Sequence, residues 1–558
     1  MFRLSGYALM VASWLVSDHY PPWTAAYNDT VMAAGLALLF AVTAGRQKTG
    51  ASRLVPVTFW WLVAISLIPA FQWLAGQLAY GDDVLVAGVY VLGLAVAILT
   101  GQQTAARNTA ESSAALLGGA ILLGAGLSAL VAVMQSMELG SLGHWTLETC
   151  VGGRACANLS QPNNLGTLLG LGVLGVLLLR EQSRLSGCTA GVLLTLLLLG
   201  AAASQSRTAM LYGPTILIGL WVSRRAGIPI QTSMRAVAFF TAAHWLLAWA
   251  WPLLQEALLL HTTPSFVERS IDAGRMQAWG MFVDALSLCP WAGFGWLQTA
   301  NAQLMVAENH PALTGVWQQA HNLFLELLLW CGYPLGLGLC GLIVFWCINR
   351  ARRVASIEGV VGMLAVALFG IHSMLELPYH YAYFLIPIGM WIGIVEHETS
   401  ATVQRWASLR WIPVGLSVML AVAVMYDYVE VEEDFRLARF EALRVGTRAA
   451  NTPAPKAHFL PSLTGYLLVT RTRPAAGMSA NELTAMEASV RRYPHAASMA
   501  KLAFAWALNG RAVDAKQMFS KIRYVHGERM YGKVRRDLHE LVLGGEVGLL
   551  DLDSSFLP

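Results

Sequence analysis

Ala320-His321-Asn322-Leu323-Phe324-Leu325-Glu326-Leu327-Leu328-Leu329-Trp330 passes from a polar loop into an apolar helix within three residues. Apolar character continues to about residue 348, longer than the roughly 20 residues that cross a bilayer at about 1.5 Å per residue. The run therefore predicts a membrane helix. It places a histidine and an asparagine where water meets lipid. There a titratable side chain can meet a water-soluble acceptor and a lipid-borne donor together, which makes His321 the candidate catalytic centre.

The rest of the 558-residue chain agrees with a membrane setting. It is 56% hydrophobic and 13% charged, about half the charged share of a soluble domain, with a mean hydropathy of +0.53. Apolar runs centre near residues 7–17, 30–45, 54–75, 84–104, 112–136, 162–179, 188–204, 209–223, 235–251, 322–348, 357–373, 382–396 and 410–426, predicting an all-α polytopic membrane protein of 12–13 spans. No removable leader is expected at the N-terminus, because the run into His19-Tyr20-Pro21-Pro22-Trp23 lacks a small-residue cleavage site. The pI near 8.6 does not point to nucleic acid, since basic residues of the apolar region fall in short loops.

Those loops set an orientation. Arg3, Arg46, Lys48, Arg53, Arg107, Arg180, Arg184, Arg224, Arg225, Arg235, Arg350, Arg352, Arg353, Arg405 and Arg410 lie on one side; only Arg154, Arg207, Arg269 and Arg275 lie on the other. The positive-inside rule makes the first side cytoplasmic. The N-terminus is then inside, and the chain after residue 426 outside. Four arginines on the side that avoids them predict an anion site, because a guanidinium fork binds phosphate through paired hydrogen bonds. Pairing with local carboxylates, such as Arg269 with Asp272, is the plainer alternative.

The division expected is a membrane domain over 1–426, with the loop 252–321 carrying His321, and a small helical domain over 427–558. The latter holds 18 of the 37 basic residues. Within it, 481–524 reads as a helical hairpin resembling one tetratricopeptide unit, with Leu502, Ala503, Trp506, Ala515 and Phe519 inward and Gly510 at the turn. It serves as packing or as a dock for a protein acceptor. In the 252–321 loop an interfacial helix is expected near 265–288, broken at Gly274, with Arg275 and Trp279 on one face. Cys150 and Cys156 flank a glycine-containing loop and can close a disulfide in an oxidising space.

Outward polar groups gather from several loops: Arg154, Asn158, Gln161, Asn163 and Asn164 from one, Arg207 from Ser204-Gln205-Ser206-Arg207-Thr208, then Arg269, Arg275, His321, Asn322, His372 and Glu376. His372 and Glu376 are one helical turn apart; they read first as a hydrogen-bonded polar pair that satisfies itself near the interface and second as substrate-binding groups, since polar groups at membrane depth tend to be functional. The outward carboxylates at Asp82-Asp83, near Glu430 and at Asp551 and Asp553 share no loop with these arginines. No metal or other cofactor is expected, and fixed cations would stabilise a phosphate leaving group. A histidine titrates near neutrality, so it can take a proton from an acceptor hydroxyl or orient it.

These stretches also carry a resemblance. AHNLFLELLLW is similar to the histidine motif of the O-antigen ligase superfamily. More specifically, DHYPPW, NLSQPNNLG, SQSRTAML and IHSMLELPYHYAYFLIP resemble motifs of PglL-type bacterial protein O-oligosaccharyltransferases. Asp29 stands where glutamate is usual, and Ser160 and Asn164 replace the usual glycine and histidine. The resemblance implies a GT-C-type membrane fold, an undecaprenyl-diphosphate-linked glycan as donor, and Ser or Thr hydroxyls of a periplasmic, pilin-like protein as acceptor. By position it makes His321 the catalytic residue and Arg207 and Arg275 the donor diphosphate ligands, with Arg269 and Arg154 as further ligands. Asn158, Gln161, Asn163, Asn322, His372 and Glu376 would support substrate binding. The inner membrane would be its location, with the active site periplasmic. An O-antigen ligase with a lipid A-core acceptor is the alternative within the same chemistry, and a lipid-linked glycan transporter the alternative outside it.

Overall fold

The computed structural model describes residues 2–44, 55–140, 142–148, 150, 152–263, 274–399, 402–403, 409–442 and 457–554. Among these residues helices dominate, and ten are long and apolar enough to cross a membrane. Three expected spans fall short among these residues. Phe2–Ser13 and Tyr212–Arg225 have 12 and 14 residues. Ala382–Thr399 has 18 but ends on Glu396-His397-Glu398. The only strands among the described residues are a two-residue antiparallel pair, Val55–Pro56 with Thr402–Val403.

The chain forms two compact units. One comprises Met1–Ser66, Gly88–Asp272 and Leu342–Ala421; the other comprises Leu67–Ala87, Ala273–Gly341 and Val422–Pro558. The second unit thus joins the C-terminal chain to Leu67–Ala87 and to the loop that ends in His321.

In the first unit, Ala110–Ser136 packs along Pro162–Glu181 and Gly187–Ser204. A side chain at Gly175 would come within 2.6 Å of the Gly118 carbonyl; glycine lets the two helices approach backbone to backbone, as is common between membrane helices. The core there holds Trp14, Trp391, Tyr383 and Phe384, all buried.

The second unit builds on the helix Leu323–Ala351, which starts there and is broken at Gly332, where φ is 70°. The break frees backbone carbonyls that lipid could not satisfy. The turn 290–296 answers them: Phe294 N–H donates to Leu329 O at 2.7 Å and Gly295 N–H to Trp330 O at 3.2 Å, while Tyr333 N–H donates back to Pro290 O at 2.7 Å. Gln72 Nε2 adds a donor to Trp330 O at 2.7 Å. A Cβ on Gly293 or Gly332 would meet the facing backbone at 2.6 Å, so glycine is required on both sides of this joint.

The C-terminal helices of the second unit are Ala480–Arg492, Ala496–Leu508 and Ala512–Leu543. Leu502, Ala503, Trp506, Ala515 and Phe519 are buried, and Gly510 makes the turn at φ 80°. Leu304 and Ala307, from the chain before His321, are buried in the same apolar cluster as Met486, Val490 and Phe519.

Candidate active site

His321 has φ 53°, a left-handed backbone conformation uncommon for a side chain with a Cβ. Its neighbours hold it there. Asn322 Oδ1 accepts from the N–H groups of Phe324 and Leu325, both at 3.1 Å, and so caps the first turn of the membrane helix. Glu326, fully buried in that turn, accepts from Ala320 N–H at 2.5 Å and from Thr299 Oγ1 at 2.5 Å. Trp279 Nε1 donates to Ala320 O at 2.8 Å, and the Trp317 ring stands edge-on to His321 with centroids 5.0 Å apart. His321 itself is only partly buried. The fold thus fixes the backbone on both sides of the imidazole and leaves the ring within reach of solvent.

Arg275 lies in the helix Gly274–Leu286, one turn before Trp279. The first half of the helix expected over 265–288 lies outside the described residues. Arg275 and His321 therefore belong to one unit, linked through Trp279. Arg269 lies outside the described residues.

Most of the remaining candidates lie in the first unit, in neighbouring hydrogen-bonded groups. Asn163 Nδ2 donates to Glu376 Oε1 at 2.8 Å, and its Oδ1 accepts from Ser206 Oγ at 2.8 Å. Thr167 Oγ1 is 2.7 Å from His372 Nδ1 and 2.6 Å from the Tyr212 hydroxyl. Asn164 Nδ2 donates to the Tyr383 hydroxyl at 2.8 Å. Tyr383 N–H and the Tyr90 hydroxyl both donate to Asp29, at 3.2 and 2.6 Å. Asn158 Nδ2 donates to the carbonyls of Leu15 and Trp145, both at 2.7 Å. The His19 ring nitrogens sit 2.6 and 2.7 Å from the carbonyls of Thr24 and Asn158. Gln161 caps Pro162–Glu181 by accepting from Asn164 N–H at 2.7 Å.

Four of the five motifs, scattered over more than 350 residues, thus converge here. Ser160 stands at φ 55°, the region that favours glycine, which accounts for the glycine usual at this place. Thr167, Ser206, Tyr212 and Tyr383 escaped the sequence reading. Single hydroxyls in apolar helices carry little local signal. Glu326 did carry one, since an acid in the first turn of a membrane helix needs partners.

Arg154 turns onto the same segment that bears Arg207: its Nε and Nη2 donate to the carbonyls of Ser204 and Gln205 at 3.1 and 3.2 Å. Cys150 and Cys156 are joined in a disulfide, closing the loop in which Arg154 sits. Of the carboxylates expected on the outer side, Asp83 accepts from Arg492 Nε at 2.9 Å and Gln298 Nε2 at 2.8 Å, Asp82 from Ser462 N–H at 2.9 Å, and Asp553 faces His539 at 2.8 Å. No group of three or more His, Cys, Asp or Glu residues suited to a metal forms among the described residues.

Two family models match. Residues 191–340 match the O-antigen ligase model, and residues 360–537 the C-terminal part of a membrane-bound polymerase described as a virulence factor. The chain is 26% identical over 536 residues to a general O-oligosaccharyltransferase of Acinetobacter baylyi, covering 93% of this chain and 91% of that one. It is also 26% identical over 398 residues, 71% of each, to a ComP-specific O-oligosaccharyltransferase of the same organism.

Proposed function

We propose that this chain, a relative of the bacterial O-oligosaccharyltransferases, is a multi-pass membrane glycosyltransferase that moves a preassembled glycan from a lipid diphosphate carrier to protein hydroxyls. The carrier is undecaprenyl diphosphate and the acceptor a pilin-like protein outside the inner membrane. His321 and the C-terminal helices face the periplasm, and the N-terminus the cytoplasm. One observation carries the reading: a histidine whose backbone is clamped by Glu326, Trp279 and Asn322 stays accessible at the head of a membrane helix.

The acceptor oxygen attacks the anomeric carbon of the first sugar and its proton passes to the imidazole of His321. The bond from that carbon to the phosphate oxygen breaks, and the electron pair leaves with the diphosphate. Arg275, tied to the His321 loop through Trp279, supplies positive charge to the leaving group. Arginine replaces a divalent metal in this role; the Asp83 carboxylate is already engaged by Arg492 and Gln298. Positive charge placed where negative charge develops lowers the barrier.

Intact-protein mass spectrometry of the acceptor tests the reading. A His321→Ala protein that is inserted and folded is expected to leave the acceptor unmodified; normal modification would overturn the proposal. The O-antigen ligase match favours a second reading, with lipid A-core as acceptor. Immunoblots of lipopolysaccharide from a deletion strain decide between them: loss of O-antigen with intact glycoproteins selects the ligase.

A further inference from the structure

The C-terminal helices share a core with the chain leading to His321, and one arginine joins them at a buried point. Arg492, at the end of Ala480–Arg492, has a side chain only 11% exposed. Its Nε donates to Asp83 Oδ1 at 2.9 Å, and its Nη1 donates to Gln318 Oε1 at 3.1 Å. Asp83 is held from its other oxygen by Gln298. Gln318 follows Trp317, whose ring contacts His321. Trp317 N–H donates to Gln303 Oε1 at 2.8 Å, and Gln303 Nε2 donates to Gly315 O at 2.9 Å. Gln303 precedes Leu304, which is buried among the C-terminal helices.

We propose that Arg492 is a positioning residue for His321, acting through Gln318 and Trp317. The inference rests on the reading of His321 given above. Two features make the role specific to arginine. The buried carboxylate of Asp83 demands a cation, because a charge without a partner in the interior is costly. The second bond, to Gln318, needs a second N–H at a fixed angle to the first; a guanidinium has it and an ammonium does not offer it in fixed geometry. The fork thus turns a structural ion pair into a tie on the loop. The C-terminal helices then belong to the catalytic apparatus rather than covering it.

The test measures steady-state transfer of a lipid-diphosphate glycan to an acceptor protein, by full-length enzyme in detergent, with melting temperature as the second readout. Gln318→Ala is expected to lower kcat about tenfold, the effect of a modest misplacement of a catalytic group, with unchanged KM and melting temperature. Gln318→Glu, which keeps an acceptor oxygen for Arg492, is expected to retain wild-type kcat. Arg492→Lys is expected to match Gln318→Ala. Arg473→Ala, which removes an exposed pair with Glu546, is expected to leave both readouts unchanged. Wild-type kcat in both Gln318→Ala and Arg492→Lys overturns the inference. So does equal loss in Gln318→Ala and Gln318→Glu, or loss that only tracks a lower melting temperature. An active His321→Ala enzyme would instead sink the underlying reading, so the two failures are distinguishable.

Discussion

The two polar clusters of this chain are built on opposite plans. In the first unit, Asn163, Asn164, Thr167, Tyr212, His372, Glu376 and Tyr383 are all buried and bond chiefly to one another. In the second, the supports Glu326 and Ala320 are buried while His321 keeps access to solvent. Most of the residues that make the motifs recognisable thus spend their hydrogen bonds on each other. The proposed catalytic residue, His321, is instead flanked by residues whose backbone is fixed by buried partners. A signature motif can mark a scaffold as readily as a catalyst, and burial tells the two apart.

The sharpest way to break this contrast is to exchange activity for stability. His321→Ala is expected to cost about two to four orders of magnitude in transfer rate, the usual worth of acid–base assistance, with an unchanged melting temperature. Glu376→Ala is expected to do the reverse. It strands the buried Asn163 amide, which costs about 1–3 kcal/mol and shows as a lower unfolding midpoint. A double-mutant cycle with Asn163→Ala is expected to be non-additive, because both changes remove one bond. If His321→Ala melts early, or Glu376→Ala loses turnover at full stability, the contrast fails.

Glu326→Gln probes the support of the reactive group. An amide can keep only part of what two carboxylate oxygens accept from Ala320 and Thr299. Both readouts are expected to fall, the rate by about tenfold and stability by about 1–2 kcal/mol.

A smaller effect is expected from pH in the C-terminal helices. Burial holds the imidazoles of His495 and His526 below the usual histidine range, and the nearby His526 depresses His495 further. The folded state therefore binds fewer protons than the unfolded state. This contribution is fully present above the unfolded value of about 6.5 and is lost as pH falls through the folded values. Thermal melts at pH 7.5 and pH 5 are expected to show a lower midpoint in acid, and His526→Gln to flatten that difference. The smallest effect belongs to Ser160→Gly. Relief of the left-handed backbone is offset by glycine's larger unfolded-state entropy, so the unfolding midpoint measured in denaturant should shift by less than about 1 kcal/mol.

Much of the fold was legible in the sequence because apolar length is a local property. Ten expected spans reappear as helices of sufficient length, from Ala26–Ala44 to Trp411–Glu441. Two of the three that fall short are cut by local chemistry: Phe2–Ser13 stops ahead of the polar run Asp18-His19-Tyr20 with Pro21 and Pro22, and Ala382–Thr399 runs into charged residues. The composition of the unit holding His321 was not legible. The bonds from Arg492 to Asp83 and Gln318 join positions 409 and 174 residues apart, and periodicity carries no information over such separations. The site was half legible. Motif resemblance found Asn163, His372 and Glu376, whereas the hydroxyl partners Thr167, Ser206 and Tyr212 became visible only when the helices were packed.

The break at Gly332 has a mechanical consequence. Two carbonyls of the helix, Leu329 and Trp330, are spoken for by the turn at Phe294 and Gly295, and a third bond returns from Tyr333 to Pro290. Two bonds in one direction and one in the other clamp the turn to the head of the helix. Trp296, beside Trp330 with ring centroids 4.6 Å apart, is part of the same clamp.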